Sequence, residues 1–496
     1  MNMLFKKINI TCLTVVMLLV CSCEKFVDPG LPSTALLDEI VFKKETTATA
    51  ALVGIYTDLL LVTADGSYAT ENLSTALAAD ELRLTGSNPL ITQIYTNAVS
   101  PDNTTTALIW DRSWAAIYKA NAVLAGIAKY GSAIPEAARN QLNGEAKFLR
   151  AYFYYYLVNL YGDLPIITGI NYEENRLARR KPVNEVYQQI ITDLKESREL
   201  VRNEYVTGYN VNTTASRIRA NKAAVTALLA RVYLYANDWT NAEAEASKII
   251  NNTFVSSTTP TYTLPVLNNV FSKNSTESIL QIQHSTLVSI TPGYSTFFVT
   301  VNPVSTLLVG NNSVLSNSQL SLFEPGDGRR NSWVKSFTGT ETYNFSAKYI
   351  TGGTQFQTIL KLSEMYLIRA EAMIMRNNED SGIADLNVLR TRAREAASPT
   401  LLDPLPAIPT GLTQKNAMLA LEKERQLELF TEGHRWFDLK RWKGFDNSSI
   451  SRADEVMPAV TVAKGGAWSP SWKLWPIPLI DLRANTNFTQ NPEYGN

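Results

Sequence analysis

Cys23 is the first residue whose type and setting define a reaction. It closes the stretch Val20-Cys21-Ser22-Cys23. A thiol can take diacylglycerol through a thioether, and the small Ser22 in front of it suits a peptidase that then cuts before the cysteine. Cleavage would leave Cys23 as a new amino terminus, open to further acylation. Several acyl chains give stable anchoring, because each buried CH2 contributes roughly 0.8 kcal/mol and one chain binds only marginally. Cys21 follows the bulkier Val20 and is the poorer acceptor.

A second group of reactive types lies in Glu432-Gly433-His434-Arg435-Trp436-Phe437-Asp438. A histidine between acids can pass for a general acid–base set, but its neighbours suit a structural role better. Gly433 follows an amphipathic run and fits a helix C-cap. Arg435 and Asp438 fit a bidentate pair, and Trp436, Phe437 and Trp442 supply packing area. His434 is expected as a hydrogen-bonded residue at a helix end. A glycosidase needs two carboxyl groups at a set separation, and nothing in the chain singles out two. No enzyme activity is expected.

Ligand-binding candidates come from rings in loops. A sugar platform needs an exposed ring face with polar groups around it. Tyr95, Tyr294, Trp333 and Tyr343 are the candidate rings, with Asn97 and Arg330 as hydrogen-bonding neighbours. The run Tyr152–Tyr156 is different, since at helical spacing its rings point in several directions and belong to a core. Asp327-Gly328-Arg329 sits in a turn and suits loop bracing. Ca2+ would need six to eight oxygen ligands; it stays open at that turn, but no EF-hand spacing indicates it, and no cofactor is expected. Two histidines rule out a histidine-rich metal site.

The elements that hold these residues begin with a leader. Lys6 and Lys7 precede an apolar stretch from Ile8 to Cys21, with Leu13–Val20 at its heart. That is a signal-peptide pattern, too short for a bilayer span. Its end resembles the bacterial lipobox. An ordinary secretory signal cut near Cys21 or Cys23 is the alternative. The cysteines are Cys12, Cys21 and Cys23, so the body must fold without disulfides. At 496 residues the chain is long enough for a large core. The precursor carries 46 basic and 46 acidic residues with no polybasic run. A nucleic-acid partner is therefore not expected.

The rest divides into residues 1–22 as signal peptide, 23–38 as lipidated tether and 39–496 as one body. Pro29-Gly30 keeps the tether non-helical. Helical spacing appears over about 39–60, 108–250, 359–398 and 412–444. Trp110, Trp114, Ile117-Tyr118 and Leu124 mark one helix. Further helices are expected over Pro135–Tyr161, from Pro182, over Asn221–Tyr235 and after Trp239. Leu360–Arg376, Gly382–Arg394 and Thr413–Phe430 complete the set. Small alanines and the Asn-Asp-Trp turn make 221–250 look like a tetratricopeptide-like hairpin. Loop-rich stretches cover about 62–107, 251–358 and 445–470, with short strands expected at Ser278–Gln283, Phe297–Val299 and Ser346–Ile350.

Leu421–Phe430 followed by Glu432–Trp442 strongly resembles the SusD/RagB family of outer-membrane lipoproteins from Bacteroidetes. Asn143–Phe153, Leu160–Pro165, Tyr366–Ala372, Leu474–Pro478 and Gln490–Tyr494 match in the same order. The resemblance implies a mostly α fold on a tetratricopeptide-like scaffold. It also implies a non-enzymatic protein that captures a nutrient, most often an oligosaccharide, outside the cell. The partner implied is a SusC-like, TonB-dependent transporter, with the bilayer reached through acylated Cys23. Peptide capture and a mainly structural lid on the barrel are the competing readings.

Overall fold

The computed structural model describes residues 33–59, 71–254, 261–283, 313–338, 341–349 and 355–495. Cys23, Tyr294 and the expected strand Phe297–Val299 lie outside the described residues.

The chain opens with α1 (Ser33–Phe42) and α2 (Glu45–Asp58), so the single helix expected near 39–60 is broken at Lys43-Lys44. The stretch expected to be loop between 62 and 107 holds α3 (Glu71–Ala78), strand β1 (Leu82–Leu84) and α4 (Pro89–Tyr95). The long pair α5 (Thr104–Tyr130) and α6 (Glu136–Tyr161) follows. Asn103 caps α5 by accepting from the Thr105 and Thr106 amides at 3.0 and 3.2 Å. Ile109, Trp110, Ala116, Ile117, Ala120, Val123 and Ile127 make its buried stripe. Tyr152 to Tyr156 on α6 are all buried, as their helical spacing implies. Their neighbours stack edge to face; Tyr155 meets Tyr235 at 5.1 Å between ring centres.

Next come α7 (Val183–Leu200), α8 (Lys222–Tyr235) and α9 (Trp239–Ile250). Asn237 takes φ +60° in the turn between the last two, and Asp238 caps α9 by accepting from the Asn241 amide. After the strand-bearing region, α11 (Leu362–Met375), α12 (Glu379–Ala393) and α13 (Gln414–Leu429) return to the hairpin pattern. Gly382 allows the α11–α12 approach, since a Cβ there would sit 2.7 Å from the Ala370 carbonyl oxygen. The hairpins stack side by side: α6 packs on α7, α9 on α11, and α11 on α13. Short α14 (Arg435–Arg441), α15 (Arg452–Ala463) and α16 (Leu479–Ala484) close the chain.

Among the described residues the strands form three two-stranded antiparallel pairs. β1 pairs with β3 (Ser313–Leu315), β2 (Ser278–Ile282) with β6 (Gln357–Lys361), and β4 (Val334–Thr338) with β5 (Thr342–Ser346). The strand expected at Ser346–Ile350 thus runs earlier, over Thr342–Ser346. A short helix, α10 (Gly328–Trp333), leads directly into β4. One apolar cluster runs from Phe42 to Ile477 and binds the helical scaffold to the strand-bearing face. A smaller one joins α11, α12 and α13 around Leu367, Leu386 and Leu421. The mostly α architecture with a few short strands is the one the helical periodicity implied.

Candidate ligand-binding site

Glu422, Glu424, Arg425 and Glu428 of α13 are buried, and each finds an opposite charge. Glu422 accepts from Arg435 at 2.7 Å and from Arg452 at 3.0 Å. Glu424 accepts from Arg390 at 2.6 Å and Arg329 at 3.1 Å. Glu428 accepts from both Arg392 and Arg329. Burial opposes the charge on Glu428, but the surrounding Arg392, Lys361 and Arg329 hold its carboxyl far below the ordinary range. The run Leu421–Phe430 is therefore a buried ionic spine, with every acid paired in the interior.

Arg435 and Asp438 of the 432–438 motif are buried, but they do not pair in the way their spacing suggests. Arg435 does not pair with Asp438. Its guanidinium reaches Asp80 beyond α3, at 2.7 and 2.8 Å, while Asp438 receives Arg425 from α13 and Arg441 from its own helix. The two residues lie within one short helix and each turns to an opposite charge on a different element, so α14 is tied to two neighbours. Burial pushes the Asp438 carboxyl up, and Arg425 and Arg441 outweigh it and bring it below the usual value. Gly433 has φ +82° but lies beyond the α13 C-cap, which is Phe430. The close approach of Asn72 demands glycine there, since a Cβ would meet Asn72 Oδ1 at 2.2 Å. Glu432 accepts from Lys348 and Lys361 at 2.6 and 2.7 Å.

His434 sits at the start of α14, and its side chain makes no capping bond. Burial, with the charges of Arg231 and Arg425 nearby, drives its pKa well below the ordinary value. It stays neutral and enclosed. Trp436 and Phe437 are buried. The Asp327 carboxylate is taken by Arg329 at 2.8 Å, both fully enclosed, so the turn is braced by its own arginine. Among the described residues, no group of histidines, cysteines and acids gathers at metal-binding distance.

The candidate rings divide. Trp333 is 1% exposed, donates Nε1–H to the Leu267 carbonyl at 3.1 Å and packs edge-on against Phe271. It presents no face to solvent, because it closes α10 over the core rather than lying in a free loop. Asn97 is likewise buried. It takes φ +57° and donates its amide to Ala78 O and Thr461 Oγ1 at 3.1 and 3.3 Å, so it ties a turn to α15. Arg330 is half-buried and donates to Asn344 Oδ1 at 2.9 Å. Tyr343, 9% exposed, packs with Val314 and Phe345 and shows little more than its rim. Only Tyr95 keeps a half-open ring among the described candidates, with Lys464 Nζ 4.8 Å from its centre.

Arg83 links two of these rings. It stands 5.8 Å over Tyr343, and its charge also reaches the Tyr95 hydroxyl, which burial pushes up and Arg83 pulls back. Its guanidinium pairs with Glu341 at 2.9 Å, and both side chains are about half exposed. Strand pairing sets this arrangement: Arg83 lies opposite Val314 in the β1–β3 pair, and β3 lies against β5, which carries Tyr343. Arg83 and Glu341 escaped the sequence reading, although Leu82-Arg83-Leu84 alternates as an edge strand does. Tyr95, Arg83, Glu341 and the rim of Tyr343 make a shallow face with one ring, a cation and a carboxylate open to water.

Stacked helical hairpins, braced by buried ion pairs and carrying a face of short strand pairs, define a helical-hairpin scaffold protein with a strand-bearing surface. A family model described as starch-binding associating with outer membrane matches residues 30–234, and one described as the SusD family matches residues 288–494. The chain belongs to the SusD/RagB family and is associated with the outer membrane. A SusD-like protein of Formosa agariphila is 26% identical, over 99% of this chain and 100% of its own length. The starch-binding protein SusD of Bacteroides thetaiotaomicron is 24% identical, over 71% of this chain and 72% of its own. The solved structure of surface glycan-binding protein A from Bacteroides uniformis has a TM-score of 0.72 at 19% identity, covering 90% and 98% of the two chains. Among the described residues, no helix is long and apolar enough to cross a membrane.

Proposed function

We propose that the protein is held on the outside of the cell by acylated Cys23, binds an oligosaccharide and delivers it to a SusC-like, TonB-dependent transporter. Family membership carries this reading, because the matching description is of starch-binding, outer-membrane-associating proteins. In this proposal residues 1–22 are removed, 23–38 form the tether and the remainder is one body.

The binding face is placed around Tyr95 and Arg83, with Glu341 and the Tyr343 rim beside them. A half-open ring can lie against the C–H face of a sugar, while the guanidinium and carboxylate take hydroxyl hydrogen bonds. The acids of α13 and α14 do not serve a hydrolytic role here, since each is engaged with arginine inside the core.

Calorimetric titration of the protein with a neutral glycan panel and a peptide panel tests the proposal. Glycan binding that weakens at least about tenfold in Arg83→Ala or Tyr95→Ala supports it; that factor corresponds to about 1.4 kcal/mol. Peptide-only binding points to peptide capture. Silence in both panels, with uptake lost on deletion, assigns the protein to the lid role.

A further inference from the structure

Away from the Arg83 face, a cleft of about 540 Å3 with polar groups at its rim opens at the mouth of the hairpin stack. Its walls are the turn before α9, the end of α11, the start of α13 and the segment 441–448. The size falls within the range of small-ligand pockets. It shares no residue with the Arg83 face.

Trp239 and Phe445 are half-buried and give the cleft aromatic walls, with Trp442 behind Phe445 at 6.0 Å between ring centres. The Trp442 indole N–H is fixed on Glu371 at 2.7 Å, so that ring is locked in place. Trp239 Nε1, the Asn237 side-chain amide and Ser448 Oγ belong to residues lining the same cleft, and none of these groups makes a hydrogen bond among the described residues. These are donors and acceptors left for a ligand.

Charge narrows the choice. Three cations and no acid line the cleft. Arg441 is neutralised by Glu371 and Asp438, and Lys415 pairs with Asp446 at 2.5 Å. Lys443 is exposed, and its ammonium has no partner among the described residues. An aromatic wall, a rim of uncharged hydrogen-bonding groups and one unmatched ammonium fit a pyranose ring bearing a carboxylate. We infer that this cleft is a second carbohydrate subsite, separate from the Arg83 face, that takes a uronate sugar against Trp239 and Phe445 with its carboxylate on Lys443. The choice of a sugar over another carboxylate rests on the glycan-binding reading above.

The test uses the full-length lipoprotein in detergent, titrated calorimetrically with trigalacturonate, its fully methyl-esterified form and triglutamate. Trigalacturonate is expected to bind more tightly than its ester. Lys443→Gln should weaken the acid form at least fivefold and leave the ester unchanged. Trp239→Ala should weaken both, while Arg83→Ala, which tests the other face, should leave trigalacturonate affinity intact. Since Lys443 is exposed, its substitution does not threaten folding. Absence of trigalacturonate binding, indifference to Lys443→Gln or equal binding of triglutamate would each overturn the inference. Loss of trigalacturonate affinity in Arg83→Ala would overturn it too, by assigning the acid sugar to the first face. Failure of these arms leaves the neutral-glycan titration at Arg83 standing, so the two proposals fall separately.

Discussion

Arg425 and Asp438 form a bidentate ion pair inside the protein, Nε to Oδ2 at 2.7 Å and Nη2 to Oδ1 at 2.9 Å, with both side chains 2% exposed. The pair fastens α13 to α14 across the turn that carries Gly433. Among the described residues Arg425 has no second carboxylate at ion-pair distance, and its Nη1 lacks a partner. Removing one member of a buried pair leaves an unmatched charge and costs roughly 3–5 kcal/mol. Asp438→Ala should therefore lower the urea midpoint by that amount divided by the m-value. Arg425→Met together with Asp438→Leu should recover most of the loss, because an apolar pair of similar volume carries no stranded charge. Additive losses in the double variant would show that the pair is not the unit that matters.

Gly433 gives a second, purely steric expectation. Alanine would be forced into the left-handed region, at a cost of order 1–3 kcal/mol, and would also press on Asn72. Gly433→Ala should destabilise the protein, and adding Asn72→Ala should relieve the contact but not the backbone strain. Thermal unfolding of the two variants separates these parts. Full recovery in the double variant would leave no role for the backbone angle.

Much of the scaffold was legible from residue spacing. The helices around Trp110, Leu149, Leu228 and Leu421 lie where apolar residues recur at helical intervals, and small residues such as Gly382 mark close helix contacts. α15 was missed because Pro458 and the Gly465-Gly466 pair read as loop. The signal available was Ser451 with Asp454, which form a reciprocal capping box. The ion-pair partners were not legible, since Arg435 finds Asp80 from 355 positions away. Trp333 and Asn97 misled for a related reason: their local sequence is polar, yet distant segments close over them. Exposure of a ring is a tertiary property, and only Tyr95 among the described candidates kept it.

Cys23 carries the anchoring proposal. The expected outcome is that labelled palmitate enters the wild-type protein, and that Cys23→Ala neither takes up the label nor stays with the outer-membrane fraction. Cys21→Ala should leave both unchanged, since Cys21 follows Val20 rather than a small residue. Label persisting in Cys23→Ala would remove lipidation at this position.

Glu81 connects stability to pH. Its carboxyl is 1% exposed, one oxygen accepts from the Thr431 amide at 3.3 Å, and the other has no partner. Burial first, and then the neighbouring Asp80 charge, push its pKa up to about 8, against the pull of Lys348 and Arg435. An unfolded glutamate titrates near about 4.3. Between these values the folded protein holds a proton that the unfolded chain has released, so stability falls as pH rises from about 4.5 to about 8 and stays low above it. Glu81→Gln keeps the shape and removes the titration. It should match wild type near pH 4.5 and exceed it at pH 8.5, by at most roughly 4–5 kcal/mol from the size of the shift. Glu81 leads into β1, and its carbonyl accepts from the Ser316 amide beside β3, so it adjoins the strand pair that carries Arg83. Urea unfolding of both proteins at half-unit steps from pH 4.5 to 9 checks this, and parallel curves over the whole range would show that Glu81 does not titrate inside the folded protein.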